Sequence, residues 1–292
     1  MKKILITGGA GYVGSNLIRS LVKKFEEIEI TSLDCYFTGK TDNHIESQKV
    51  KYIDGFTSQI NEIFKNESFD TVFHFGEYSR IVQSFEDIDF VIESISKGTQ
   101  EVIKFCLKNK SKLIYSASSS KFGNNGSDEN LSPYSFFKSK NIELIKNYGN
   151  WFNLNYEICY FYNVYGKNHI RDGKYATVIG IFERQYLNNQ PLTVVKPGDQ
   201  SRDFTHIDDV CVGIISAVQE AKNEEYFFKY GKNFKLIDVA RAFSSNIKME
   251  PKRKGERFTS EYVKSNTNKL IGWEAQIDLI DYINDFKKNN PR

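Results

Sequence analysis

Short apolar runs alternate with amphipathic stretches through the first 160 residues of the chain. The runs Lys3–Thr7, Ile28–Leu33, Lys49–Ile53, Thr71–Phe75, Lys112–Ser116 and Tyr156–Phe161 have the length and branched or aromatic content of strands. Between them, Tyr12–Lys24, Gln59–Lys65, Phe90–Asn109 and Tyr134–Phe152 carry apolar residues at helical spacing. In the first of these, Leu17, Leu21 and Val22 share one face while Arg19, Lys23 and Lys24 lie elsewhere. Short buried strands alternating with helices predict an α/β fold with a parallel sheet covered on both faces.

After Tyr165-Gly166 the rhythm changes. The pattern predicts a helix over Ala176–Leu187, a strand over Leu192–Val195, a helix over Asp208–Gln219, a strand over Tyr226–Lys229 and a helix over Leu236–Phe243. A basic loop, Pro251-Lys252-Arg253-Lys254-Gly255, precedes a last helix near Leu279–Lys287. There is no internal repeat and no long linker, so the second half reads as a smaller lobe packed on the first.

Composition narrows the class. At roughly 150 residues per domain, 292 residues suggest two units. Apolar residues make up 40% and charged residues 26%, enough to build a core. The net charge of +3 counts against a dedicated nucleic-acid surface. No run approaches the roughly 18 apolar residues of a membrane span, and Ile4-Leu5-Ile6 ends at Thr7-Gly8, too short for a secretory signal. Cys35, Cys106, Cys159 and Cys211 are widely spaced, with no CxxC pair, so neither a disulfide framework nor a zinc site is expected. A reduced, cytoplasmic enzyme is the natural class.

Candidate chemistry starts at the first turn. Thr7-Gly8-Gly9-Ala10-Gly11-Tyr12-Val13-Gly14 lies between the first strand and the first helix, with Gly8, Gly11 and Gly14 spaced GxxGxxG. Such glycines permit the tight turn, the approach of backbone to a pyrophosphate and close helix–strand packing, as in a Rossmann-type doubly wound sheet. The helix N-terminus offers free N–H groups to the phosphates. Asp34 ends the second strand, 20 residues after Gly14. A carboxylate there accepts hydrogen bonds from the adenosine ribose and repels a 2′-phosphate, favouring NAD over NADP. The bland alternative is an ordinary turn residue.

A second constellation follows. Ser132-Pro133 suits a helix start, which places Tyr134 and Lys138 at i and i+4 on one face. A neighbouring ammonium favours a phenolate, and such a tyrosine can take a proton from a sugar hydroxyl while hydride leaves for nicotinamide. Tyr115-Ser116-Ala117-Ser118-Ser119-Ser120 sits at a strand end, where open α/β sheets place their ligands. A hydroxyl there can relay the proton to Tyr134. A surface aromatic–lysine pair is the competing explanation, weakened by the glycine fingerprint upstream.

These residues together resemble the extended short-chain dehydrogenase/reductases, and within them the NAD-dependent nucleotide-sugar epimerase/dehydratase family. The similarity continues through Phe161-Tyr162-Asn163-Val164-Tyr165-Gly166, Ser201-Arg202-Asp203-Phe204-Thr205-His206-Ile207-Asp208-Asp209, Arg253-Lys254-Gly255-Glu256 and Leu270-Ile271-Gly272-Trp273. It implies an NAD-binding Rossmann domain over residues 1–165, rejoined around 203–225, and a smaller nucleotide-sugar lobe over 166–292. Gly8, Gly11, Tyr12, Val13, Gly14, Asp34 and Lys138 would hold NAD. Ser118 and Tyr134 would be catalytic with Lys138. Ser118, Asn163, Arg202, Arg253 and Glu256 would bind the substrate, the two arginines facing its diphosphate. A solvated basic loop is the alternative for Arg253. Asp203 and Asp208 read as structural, and His206 with Asp208 lacks a third metal ligand, so no metal is expected.

Departures from the family pattern sharpen the reading. Dehydratases of the family carry Asp-Glu directly after the catalytic hydroxyl, whereas Ser119 and Ser120 stand here, which disfavours a 4,6-dehydratase. Phe56 replaces the Asp that usually meets adenine. Gly76-Glu77 replaces two alanines, and Glu77 and Arg80 could reach the sugar or each other. Ten residues separate Gly123 from Tyr134, a short spacing for the family. The resulting expectation is a nucleotide-sugar 4-epimerase on a UDP-sugar, with GDP- and dTDP-sugars as options. A 4-dehydrogenase or 4-ketosugar reductase with net NAD(H) turnover is the alternative, and a non-enzymatic dinucleotide sensor a third. A homodimer through the stretches Phe90–Asn109 and Tyr134–Phe152 is the family's usual assembly. The 2 Trp, 17 Tyr and 23 Phe residues remain mostly core on this reading.

Overall fold

The computed structural model describes residues 2–122, 128–220, 222–252, 258–259, 265 and 267–291. Its first half runs β1 (Lys3–Thr7), α1 (Tyr12–Lys24), β2 (Glu29–Asp34), β3 (Val50–Asp54), α2 (Ile60–Ile63), β4 (Thr71–His74), α3 (Ile88–Val91), α4 (Gly98–Asn109), β5 (Lys112–Ser118), α5 (Pro133–Phe152) and β6 (Tyr156–Phe161). The second half runs β7 (Asn163–Tyr165), α6 (Val178–Leu187), β8 (Leu192–Val195), β9 (Ser201–His206), α7 (Ile207–Gln219), β10 (Glu225–Phe228), β11 (Asn233–Lys235), α8 (Leu236–Phe243), β12 (Ile247–Glu250) and α9 (Leu279–Asn289).

Seven strands form one sheet in the order β10-β6-β5-β4-β1-β2-β3, and every pair in it is parallel. The order reverses between β1 and β4, and such a switch point opens a crevice at the strands' carboxyl ends. Ile4, Ile6 and Phe73 point into an apolar cluster with Leu17 of α1 and Ile214 of α7. Leu5, Val72 and Leu113 point the opposite way, against Val102 of α4 and Ile142 of α5. This alternation explains why the strands read as near-continuous apolar runs: both faces are covered.

A third cluster belongs to the second half. Phe182, Leu192, Phe204, Val239, Phe243 and Ile283 pack together around a three-stranded sheet, β11-β9-β7, and a two-stranded pair, β12-β8. Between these pieces, α7 lies against α1, and β10 extends the seven-stranded sheet beside β6. Trp273 secures this crossing. Its ring lies 4.9 Å from that of Phe228, and its indole N–H donates to the Asp209 carbonyl at 2.8 Å.

Some sequence expectations need correction. The stretch 59–65 holds only a 3₁₀ turn, Thr57–Gln59, followed by the single turn of α2. The helix expected from Phe90 begins at Ile88 and passes through a π-helical stretch, Ile92–Lys97, before α4. Strands β7, β9, β11 and β12 were not anticipated. β9 reads Ser-Arg-Asp-Phe-Thr-His, with no apolar alternation, because its buried Asp203 and Thr205 are satisfied by hydrogen bonds.

Trp273→Ala removes both the packing on Phe228 and the bond to Asp209. It should lower stability by about 3–5 kcal/mol, read as a shifted urea midpoint with an unchanged slope.

Candidate active site

The crevice at the switch point is a cavity of about 510 Å³. Gly8, Gly11, Tyr12, Val13, Gly14 and Asp34 line one end, and Ser118, Tyr134, Lys138, Asn163 and Arg202 also border it. Arg253 and Glu256 lie outside the described residues.

The cofactor end is shaped by missing side chains. Gly8 has φ +73°, and a Cβ on it would come within 2.7 Å of the Gly76 nitrogen. A Cβ on Gly14 would come within 2.2 Å of the Gly8 carbonyl oxygen. Gly11 precedes α1 without a side-chain cap, and no acidic residue lies in the first turn, so the helix N-terminus is available to an anion. Tyr12 turns its phenol toward the second half, with its ring 6.1 Å from His169 and its hydroxyl buried. Burial pushes that hydroxyl well above its ordinary pKa.

Asp34 is almost fully buried at the end of β2. Its carboxylate accepts N–H bonds from Ala10 and Tyr36, both at 2.9 Å. Burial raises its pKa, and these backbone N–H bonds oppose the rise. The loop after it closes tightly enough that a Cβ on Gly39 would sit 2.8 Å from the carboxylate. That D-x₄-G spacing is a sequence signal that the motif reading overlooked. The glycine cradle, the bare helix end and the buried carboxylate fit a dinucleotide.

At the reaction end, Ser132 caps α5 by accepting the Ser135 N–H at 3.1 Å. This fixes Tyr134 and Lys138 on the helix's first turns, with Tyr134 packed against Tyr78, Val91 and Ile95. Ser118 ends β5, and its Oγ accepts the Ser120 N–H at 3.1 Å, which leaves the hydroxyl proton free to be donated elsewhere. Asn163 donates to the Asp203 carbonyl at 2.8 Å, and Arg202 donates to the Ser201 carbonyl at 2.8 Å. Asp203 accepts N–H bonds from Tyr230 at 2.9 Å and Gly231 at 2.7 Å, a structural role. His206 caps α7 through Asp208 N at 3.2 Å. No cluster of three potential metal-ligating side chains forms among the described residues.

Glu77 and Arg80 do not pair with each other among the described residues. The Glu77 carboxylate forms an ion pair with Lys138, whose ammonium also donates to the Ser116 carbonyl. Thr99 donates to Glu77 at 2.6 Å, and Tyr115 and Asn141 donate at 3.2 Å each. Because the Thr99 proton goes to Glu77, its oxygen accepts from His74 Nε2 at 3.0 Å, and His74 Nδ1 accepts from Thr7 at 2.8 Å. His74 is therefore neutral, in keeping with a pKa lowered to about 4 by burial.

Arg80 instead donates to the Tyr175 carbonyl, with its Nε at 2.7 Å. Tyr175 also donates its hydroxyl to Asp87 at 2.8 Å, as does Tyr78 at 2.7 Å. Lys174 reaches Asp87 at 2.9 Å. These contacts strap the segment before α6 across the cavity, over Phe37, which stacks on Phe90 at 4.0 Å. Phe56 is exposed at the same rim, edge-on to Phe90. Sequence reasoning missed this strap, whose partners lie up to 95 residues apart.

The fold and site define an α/β dinucleotide enzyme of the extended short-chain dehydrogenase type. Residues 4–228 match the model of the NAD dependent epimerase/dehydratase family, and the chain belongs to that family. NAD is accordingly its cofactor. A Methanocaldococcus jannaschii protein that carries the provisional name UDP-glucose 4-epimerase is 27% identical over 99% of both chains. A UDP-N-acetyl-alpha-D-glucosaminuronate decarboxylase of Bacillus cytotoxicus is 29% identical over 77% of this chain and 73% of its own. The solved UDP-glucose 4-epimerase of Thermotoga maritima superposes with a TM-score of 0.87 at 21% identity, covering 98% of this chain and 99% of the other.

Two outcomes test this geometry. Gly14→Val, whose side chain would press on the Gly8 carbonyl and displace the backbone there, should abolish measurable NAD binding by calorimetry and lower the urea midpoint. His74 binds its proton less readily folded than unfolded. Its contribution is thus intact above the unfolded pKa of about 6.5 and is lost as pH falls toward the folded value of about 4. That loss amounts to about 3 kcal/mol, and His74→Asn should flatten the fall in urea stability between pH 7 and pH 4.5.

Proposed function

We propose that the chain is a nucleotide-sugar 4-epimerase, with a UDP-sugar as the favoured substrate. One observation carries the choice within the family. Among the described residues that line the cavity, the carboxylates are Asp34 and Glu77. Asp34 is at the cofactor end, and Glu77 is tied to Lys138 and Thr99. Ser119 and Ser120 stand where a dehydratase needs acids, so neither position supplies a carboxylate to expel a sugar hydroxyl.

What remains is reversible oxidation at one carbon. Bound NAD supplies the hydride acceptor and donor. Tyr134 takes the 4-hydroxyl proton, through or beside Ser118, and returns it to the 4-keto sugar after the sugar has presented its other face. Lys138, one turn beyond Tyr134 on α5, would contact the nicotinamide ribose. Asn163 and Arg202, with Arg253, would hold the diphosphate while the sugar turns. The strap through Tyr175, Arg80 and Asp87 favours a retained cofactor, as an epimerase requires, over a 4-dehydrogenase or 4-ketosugar reductase that exchanges it.

The test is incubation with UDP-, GDP- and dTDP-hexoses. The expected result is a 4-epimer formed with no net change at the NADH absorbance, and stoichiometric NADH release overturns the reading. Tyr134→Phe should reduce isomer formation by roughly 10²-fold or more, measured at saturating substrate with binding retained.

A further inference from the structure

Among the described residues, Glu77 is the charged residue bonded to the catalytic lysine, and the reaction just described does not use it. Its side chain is only 2% exposed, yet it borders the cavity. The groups that face it come from every element around it: His74 from β4, Thr99 from α4, Tyr115 from β5, and Lys138 and Asn141 from α5. His74 is neutral in this arrangement, and Thr99, Tyr115 and Asn141 are uncharged donors. Arg80 spends its Nε on the Tyr175 carbonyl. The only cation bonded to Glu77 among the described residues is therefore Lys138, and the two charges cancel within a buried pair.

That cancellation matters to a nicotinamide. The oxidised ring is a cation and the reduced ring is neutral. An uncancelled ammonium at Lys138 would bind the oxidised ring less tightly than the reduced one, so bound NAD⁺ would take hydride more readily and give it back to the keto sugar less readily. Low local polarisability makes such a charge felt over several ångströms. We propose that Glu77 is a positioning residue that holds Lys138 in place and, by neutralising it, poises the bound cofactor toward NAD⁺. The proposal rests on the placement of Lys138 beside the nicotinamide in the function proposed above.

The experiment measures dissociation constants of NAD⁺ and NADH for the full chain, by calorimetry and by NADH fluorescence, with no sugar present. Glu77→Gln keeps the shape but removes the charge. It should raise the ratio Kd(NAD⁺)/Kd(NADH) roughly tenfold. Glu77→Asp keeps the charge and should leave the ratio within about twofold, even if both affinities fall. A merely structural role weakens both ligands together, so an unmoved ratio in a folded Glu77→Gln protein overturns the proposal. If that variant does not fold, Glu77→Ser, which removes the same charge at a smaller size, carries the test: the ratio should rise as it does for Glu77→Gln, and an unmoved ratio overturns the proposal. Retained dinucleotide is removed before the titration, and failure of the wild-type chain so prepared to bind either dinucleotide would instead overturn the placement of the cofactor.

Discussion

The site depends on how closely two neighbouring strand ends approach. Thr7-Gly8 at the end of β1 and Phe75-Gly76 after β4 meet across the point where the strand order reverses. A Cβ on either glycine would press within 3 Å of the other's backbone nitrogen. The Thr7 hydroxyl locks the approach by accepting N–H bonds from Phe75 at 3.2 Å and Gly76 at 3.0 Å while donating to His74. Gly76 in place of a family alanine is thus a steric requirement of this chain. It also decides where residue 77 falls: directly behind the lysine of α5.

From that point the buried polar groups follow one rule. A charge taken out of water must be matched at short range, because an unpaired one costs several kcal/mol. Glu77 is matched by Lys138. Glu157 is matched by Lys112 at 3.0 Å and by the N–H groups of Lys222 and Glu224. Glu183 is matched by His169 at 2.8 Å, by Arg171 and by the Tyr282 hydroxyl. Burial alone would raise the pKa of Glu183, but these bonds outweigh it and hold it low. The near-even totals of acidic and basic residues conceal these local matches. Each one staples elements distant in sequence, so the polar interior specifies the tertiary arrangement as well as tolerating it.

This explains which parts were legible in the sequence. β1, β4, β5 and β6 were readable because both sheet faces are apolar, and α1 because its apolar stripe faces the sheet. The glycine loop, Asp34 and the Tyr134–Lys138 spacing were readable because their geometry is local. β9 was not, since Asp203 owes its burial to Tyr230 and Gly231, residues far along the chain. Glu77 was visible as an anomaly but not as a partner of Lys138, because the pair closes over 61 residues. The Asp87 strap was invisible for the same reason. Local chemistry is written in spacing, whereas charge matching is written only in the fold.

The aromatic excess belongs to this second category. Phe37, Tyr78, Phe90 and Tyr175 come from four separate segments and meet over the cavity, with Phe37 stacked on Phe90 and Tyr78 perpendicular to Tyr175. Rings are suited to that place because they cover area with few rotatable bonds, so closing the roof orders little. Two of them also end in hydroxyls, which converge on Asp87. The apolar faces cover part of the crevice while the phenol tips fasten the two halves of the chain at its edge. Deeper in, where Glu77 and Lys138 are buried, charges are screened less than in water. The aromatic rim and the buried pair are therefore parts of one arrangement: the first joins the two halves around the crevice, and the second keeps the weakly screened charge behind it balanced.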